Sequence, residues 1–200
     1  TAPADKPLFL AVGYVKPHLP WYVPQEYYDR FPLADIKLPV TKENDLADVP
    51  TQGVKMAGPE GDHASVLKGD QWKKAVQAYL ATISFLDDQV GRLLDGLDQS
   101  PRKDKTIIVW WTDHGWHLGE KEHWRKFALW EEATRTSMAI VAPGVSKPGS
   151  KTDAPIDYTN IYPTLCELTG LPVPEHVKGA SLMPLLKDPA AKWEGVAVCT

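Results

Sequence analysis

The stretch Ile107-Ile108-Val109-Trp110-Trp111-Thr112-Asp113-His114-Gly115 constrains the chain more than any other. Five apolar residues, mostly β-branched or aromatic, stop abruptly at an acid, an imidazole and a glycine. A short apolar run bounded in this way reads as a strand buried on both faces, the kind found in parallel sheets. Its polar residues then fall at the carboxyl end of the strand, where the crevice of an open α/β sheet holds ligands. A carboxylate beside an imidazole at such a rim suits a divalent cation. The same pair also reads as a turn-capping Asp and a His filling a polar loop, because three-residue motifs are weak evidence. His117, Glu120, Glu122, His123, Arg125 and Lys126 follow closely and concentrate further chemistry in the segment.

A second strand is expected at Pro7-Leu8-Phe9-Leu10-Ala11-Val12-Gly13. It leads into Tyr14-Val15-Lys16-Pro17-His18-Leu19-Pro20-Trp21, where prolines on either side of His18 restrict the backbone. His18 is therefore either a positioned functional group or an ordinary loop histidine. Pro24 opens a short helix to Arg30. Residues 32–69 are dense in Pro, Gly and Asp without a sustained period and read as an irregular surface excursion, with no role for His63.

The clearest helix follows, with Asp70 as a candidate cap. Trp72, Val76, Tyr79, Leu80, Ile83, Leu86, Val90, Leu93, Leu94 and Leu97 recur at three and four, one apolar stripe on a rod about 42 Å long. Asp87 and Asp88 diverge by about 100° on it and do not form a catalytic pair. Strand, covering helix and second strand give the α/β alternation of a parallel sheet. A third strand is expected over residues 137–142, a helix over 161–170 stopped by Gly170, a helical turn over 179–186, and the start of a strand over 195–200.

The chain has 200 residues, enough for one large core, and a net charge of −4 with scattered cations, which argues against a nucleic-acid binder. Its two cysteines, Cys166 and Cys199, exclude a disulfide framework and a Cys-rich zinc site. Cys166 falls among leucines and reads as a buried inert thiol. Eight tryptophans and eighteen prolines suit a loop-rich enzyme more than a helical scaffold. No run reaches the roughly 18 apolar residues of a membrane span. The opening Thr1-Ala2-Pro3 and the final Gly195-Val196-Ala197-Val198-Cys199-Thr200 both read as cut ends, so a fragment is expected.

Thr112-Asp113-His114-Gly115-Trp116, with Leu118-Gly119-Glu120 and Trp124-Arg125-Lys126, resembles the metal-and-lysine segment of the type I sulfatases, in the alkaline-phosphatase-like superfamily, and within them the iduronate-2-sulfatase group. Residues 13–20, 79–97, 157–174 and 179–186 resemble the same family in the same order. The resemblance implies an α/β, alkaline-phosphatase-like sandwich with a mostly parallel sheet flanked by helices. It also implies that residues 1–200 are the C-terminal portion of a sulfatase domain whose N-terminal half is missing. Asp113 and His114 match two family positions that approach a calcium ion. Lys126 matches the lysine contacting the sulfate and the bridging oxygen, and His18 a histidine that contacts the sulfate or assists the leaving group. The family's nucleophile is a formylglycine hydrate made in a Cys/Ser-x-Pro/Ala-x-Arg motif. That motif and the family's early Asp-Asp pair are both absent from this sequence. Lys121-Glu122 stands where relatives usually have His-Gly, and Val15 replaces a frequent His, so sugar specificity is the least transferable property.

The implied activity is hydrolysis of sulfate esters on sulfated sugars or glycosaminoglycan-type polysaccharides, with calcium as cofactor. The implied partners are a sulfated carbohydrate and the missing N-terminal half, with no nucleic acid and no membrane. Family habit places such enzymes in the periplasm, outside the cell or in lysosomes. Two other classes stand beside this reading. A phosphatase, phosphodiesterase or phosphonate hydrolase of the superfamily would add His and Asp ligands for paired metals. A non-catalytic carbohydrate-binding module would instead show an exposed Trp stripe with no converging site.

Overall fold

The structure, a computed structural model, describes residues 6–199. The expectations that touch Thr1-Ala2-Pro3 and Thr200 lie outside the described residues. Helices α1 (Gln25–Asp29), α2 (Thr51–Ala57), α3 (Asp62–Lys68) and α4 (Trp72–Asp98) come first. Strands β1 (Ile108–Trp111), β2 (His117–Leu118) and β3 (Trp124–Arg125) follow, then α5 (Glu131–Thr134), β4 (Met138–Val141), α6 (Ile161–Thr169) and α7 (Met183–Lys187).

The spine is α4, the helix the spacing predicts, but the predicted stripe is only partly its buried face. Val76 is buried from the stripe, Ala81 and Thr82 are fully buried beside it, and Ile83, Leu93 and Leu94 of the stripe are exposed on α4. Its cap differs from expectation: Gln71 holds the N-cap position, while Asp70 sits at φ 48° and makes no capping bond. Helix α1 lies against α4. Tyr27 meets Phe85 edge-on with centroids 5.3 Å apart, Arg30 grips both oxygens of Asp88 at 2.9 and 3.3 Å, and Gln77 donates to the Phe31 carbonyl at 2.8 Å. Asp88 is therefore half of an ion pair, which also draws its carboxyl below the usual range, chiefly through the Arg30 hydrogen bond.

The expected parallel sheet is not what these residues build. β1 pairs antiparallel with β4, from Ile108↔Val141 to Trp111↔Met138, and β2 pairs antiparallel with β3. A parallel pair needs a crossover that carries the chain back to the strand's starting end. The connection from β1 to β4 holds only a hairpin and one short helix, and it doubles back. Residues 7–13 form no regular element and join no ladder among the described residues, and Phe9 is 86% exposed. An apolar run becomes a strand only when a neighbour supplies its hydrogen bonds. Residues 195–199 likewise form no strand.

The excursion at 32–69 is more regular than its composition suggests. It holds a 3-10 turn at Leu33–Asp35 and the helices α2 and α3, the former ended by Gly58 at φ 57°. Residues 161–169 and 138–141 match expectation, Gly170 closes α6 at φ 72°, and Cys166 is buried. The helical turn expected at 179–186 begins later, at Met183. Among the described residues no helix is long and apolar enough to cross a membrane.

Candidate active site

One face of α4 sets the segment that follows β1. Trp72 and Tyr79 lie seven residues apart, two turns along the same face. The Trp72 indole donates to the Leu118 carbonyl at 2.7 Å, and the Tyr79 ring stacks on Trp116 at 6.0 Å and 21°. Burial raises the Tyr79 phenol pKa, so it stays neutral. Two glycines permit the close approach. A Cβ on Gly119 would lie 2.4 Å from the Trp72 ring, and Gly119 itself sits at φ 117°. A Cβ on Gly115 would lie 2.0 Å from the Glu132 carbonyl oxygen, while the Gly115 N–H donates to Ala133 at 2.7 Å. On the other side of the segment, the Tyr158 hydroxyl donates to the Thr112 carbonyl and so anchors the end of β1.

The β2–β3 register pairs His117 with Arg125, so one step outward Trp116 faces Lys126. The Lys126 ammonium accordingly lies 5.7 Å from the Trp116 ring, within cation–π range. Trp116 also meets the His18 ring at 5.5 Å, His114 at 6.1 Å and Trp21 at 6.1 Å. It is the shared floor under groups drawn from two distant parts of the sequence.

Beside that floor His18, His114 and Lys126 come together, with Asp113 next to His114. Asp113 Oδ2 lies 3.6 Å from His114 Nε2, with the Asp113 side chain 77% exposed and His114 25%. His114 Nδ1–H donates to the Gly115 carbonyl at 2.7 Å, which leaves the Nε2 lone pair free beside the carboxylate. His18 follows the same pattern: its Nδ1–H donates to the Leu19 carbonyl at 2.8 Å, and Nε2 accepts from Lys126 Nζ at 2.7 Å. The His18 and His114 rings are 6.3 Å apart. Cis peptides at Lys16–Pro17 and Leu19–Pro20 bracket His18.

Two donors at right angles, each about 2.5 Å from one cation, lie about 3.5 Å apart. Asp113 and His114 therefore fit one edge of a divalent cation's shell. They are only an edge, because no cluster of three or more His, Cys, Asp or Glu able to hold a metal occurs among the described residues. Two donors alone do not close the shell of a divalent cation.

His117 and His123 do not join the site. His117 is fully buried, its ring 4.9 Å from that of His123, with Trp130 against both. Each spends Nδ1 on a backbone carbonyl, of Glu120 and Ala57 respectively, and neither Nε2 has a partner among the described residues. Burial first, and then the neighbouring His123, pushes the His117 pKa down. His63 is also buried: its Nδ1 accepts from the Trp124 indole at 3.3 Å, and desolvation lowers its pKa.

Sequence reasoning missed two features. One is Trp116 as the floor, signalled by the seven-residue spacing of Trp72 and Tyr79. The other is backbone strain in the hairpin. Lys121, Glu122 and Arg125 sit at φ 54°, 51° and 76°, conformations costing about 1–3 kcal/mol each for residues with a Cβ. Lys121 is tied to Asp45 at 2.7 Å, and that bond holds its ammonium charged to higher pH than usual.

The sulfatase family profile matches residues 1–171. A protein named sulfatase from Formosa agariphila is 41% identical over 199 residues, covering 98% of this chain and 39% of the relative. Iduronate 2-sulfatase of Mus musculus is 32% identical over 206 residues, covering 84% of this chain and 37% of the relative. Among solved structures, a phosphonate monoester hydrolase from Silicibacter pomeroyi superposes with a TM-score of 0.78 at 27% identity, over 90% of this chain and 38% of that one. The chain thus spans under two fifths of the length of the relatives it matches.

Proposed function

The chain belongs to the sulfatase family, and from that premise we propose that it carries the cation-holding and leaving-group side of a sulfuric ester hydrolase acting on sulfated sugars of the glycosaminoglycan type. The observation that carries the reading is the 2.7 Å contact of Lys126 with His18 Nε2 beside the Asp113–His114 pair. These groups serve an anion. As the sulfur–oxygen bond to the sugar breaks, charge grows on the sulfate oxygens and on the departing alkoxide. The Lys126 ammonium neutralises part of it from a preformed position, where it needs no reorganisation. The proton shared between Lys126 and His18 Nε2 passes to the alkoxide, general-acid assistance of about 10²–10⁴-fold. Trp116 keeps water from one side of the pair and fixes its height above the floor. Asp113 and His114 would hold calcium, which when bound polarises the sulfate oxygens. In this reading a formylglycine nucleophile and further metal ligands would be supplied from outside these residues. The iduronate-2-sulfatase relative supports a uronate-containing substrate.

The likeness to a phosphonate monoester hydrolase supports a second reading. A paired-metal site would need more His and Asp ligands beside Asp113. The segment's other two histidines turn into the core. The test is a substrate panel on the full-length parent, comparing 4-methylumbelliferyl sulfate with a phenyl phosphonate ester. Faster sulfate release supports the proposal, and preferential phosphonate cleavage overturns it. The isolated 200-residue chain should turn over neither.

A further inference from the structure

Behind Lys126, between β3 and the turn joining α2 to α3, lies a cavity of about 270 Å³, near the small end of ligand clefts. Arg125, Asp62, His63, His123, Phe127 and Met56 are among the residues lining it. Phe127 joins it to the site: its ring lies 5.3 Å from the Lys126 ammonium, and the residue is 70% exposed. Arg125 gives Nε to Asp62 Oδ2 at 2.6 Å and Nη2 to Oδ1 at 3.2 Å. Those are two of the five N–H donors of a guanidinium. Nη1 and one proton of Nη2 make no hydrogen bond among the described residues. Trp124 fills His63 Nδ1 and so leaves its Nε2 as a donor. His123, more than nine-tenths buried in the same wall, has no partner for its Nε2 among the described residues.

The wall therefore offers a rigid fork of spare donors, a carboxylate, an imidazole N–H and an exposed aromatic face. A half-exposed Arg–Asp pair contributes little stability by itself and does not explain why Arg125 is held at φ 76°. Residues strained in this way cluster at ligand clamps. We propose that this cavity is a second saccharide subsite, taking the sugar unit next to the one that carries the scissile sulfate, with Arg125 as the anchor for an anionic group on that unit. The planar fork matches a carboxylate or a sulfate equally well. Asp62 aims the fork and accepts a sugar hydroxyl, and Phe127 supplies a stacking face. The proposal rests on the sulfated-sugar reading above.

The test uses the full-length parent and Arg125→Gly, which removes the side chain while suiting the positive φ. Thermal melting should therefore match the parent. Three matched disaccharide sulfates are compared, whose neighbouring unit carries a carboxylate, a sulfate or neither. The expected result is that the kcat/KM preference for the anionic neighbours over the neutral one falls about 10- to 100-fold in Arg125→Gly, and only partly recovers in Arg125→Lys. Loss with one anion alone identifies which anion the subsite takes. A preference unchanged within two-fold overturns the proposal, as does an equal loss on all three substrates. Should the parent release sulfate from no ester, the reading it rests on fails separately. Calorimetric titration of the same disaccharides then decides the subsite, with equal affinity for parent and variant overturning it.

Discussion

Replacing Gly115 with Ala tests whether the Asp113–His114 pair depends on a backbone approach that only glycine allows. The added Cβ would stand 2.0 Å from the Glu132 carbonyl oxygen, where ordinary contact begins at 3.4 Å. The two segments must part by about 1.4 Å, the difference between those distances. Helix α5 is held here by the 2.7 Å bond from Gly115 N to Ala133 O, so parting breaks it and leaves a carbonyl short of a donor. Strain plus the lost bond costs about 2–4 kcal/mol. For a domain of this size each kcal/mol moves the melting point by about 2–4 °C, giving a fall of about 5–15 °C. A shift of 1 Å in positioned groups costs about 100-fold in rate, which kcat in the parent enzyme should show. Gly91→Ala is the control: nothing lies within 4 Å of the new Cβ, and a helical Gly-to-Ala change should stabilise by about 0.5–1 kcal/mol. The reasoning is refuted if Gly115→Ala melts within 2 °C of the parent with unchanged kcat.

Three further outcomes follow. Burial lowers the folded-state pKa of His117 and His63, so the stability they confer is complete above the unfolded histidine value of about 6.5 and is lost as pH falls below it. Melting points should therefore drop between pH 7 and 5, and His117→Phe should flatten part of that slope; a slope unchanged by the substitution contradicts this. Trp72→Phe keeps an aromatic ring but loses part of the indole and its 2.7 Å bond to Leu118, which should cost about 2–4 kcal/mol and speed amide exchange in β2 and β3. Asp113→Asn in the parent should weaken calcium binding at least ten-fold by calorimetry, and an unchanged affinity removes Asp113 from the metal.

What the sequence made legible is what short-range patterning controls. The three-and-four spacing on α4 and the Gly170 stop are periodic or conformational signals, and α4 and α6 stand where those signals put them, although Ile83, Leu93 and Leu94 of the α4 stripe are exposed. Asp113, His114, His18 and Lys126 each belong to a compact motif, and the structure sets His114, His18 and Lys126 around the Trp116 ring with Asp113 beside His114. Strand pairing was not legible. The apolar run at Leu8–Val12 says that burial is wanted but not by what, and the direction of β1 against β4 depends on how the connection returns. The helices α2 and α3 were hidden because seven-residue helices are held by tertiary contacts rather than propensity. Asp70 is not the cap because its backbone is left-handed, and Gln71 stands at the N-cap position without a side-chain capping bond. His117 and His123 looked available beside the motif because an imidazole reads the same in a site and in a core.

The account depends on His18 and Lys126 acting as one unit although 108 positions separate them. A double-mutant cycle on sulfate release by the full-length parent, with His18→Ala, Lys126→Ala and both together, measures that directly. Coupled groups predict a double variant no slower than the worse single one, each loss being about 10²–10⁴-fold. Losses that multiply in the double variant would show that the two groups act independently and would contradict the shared site.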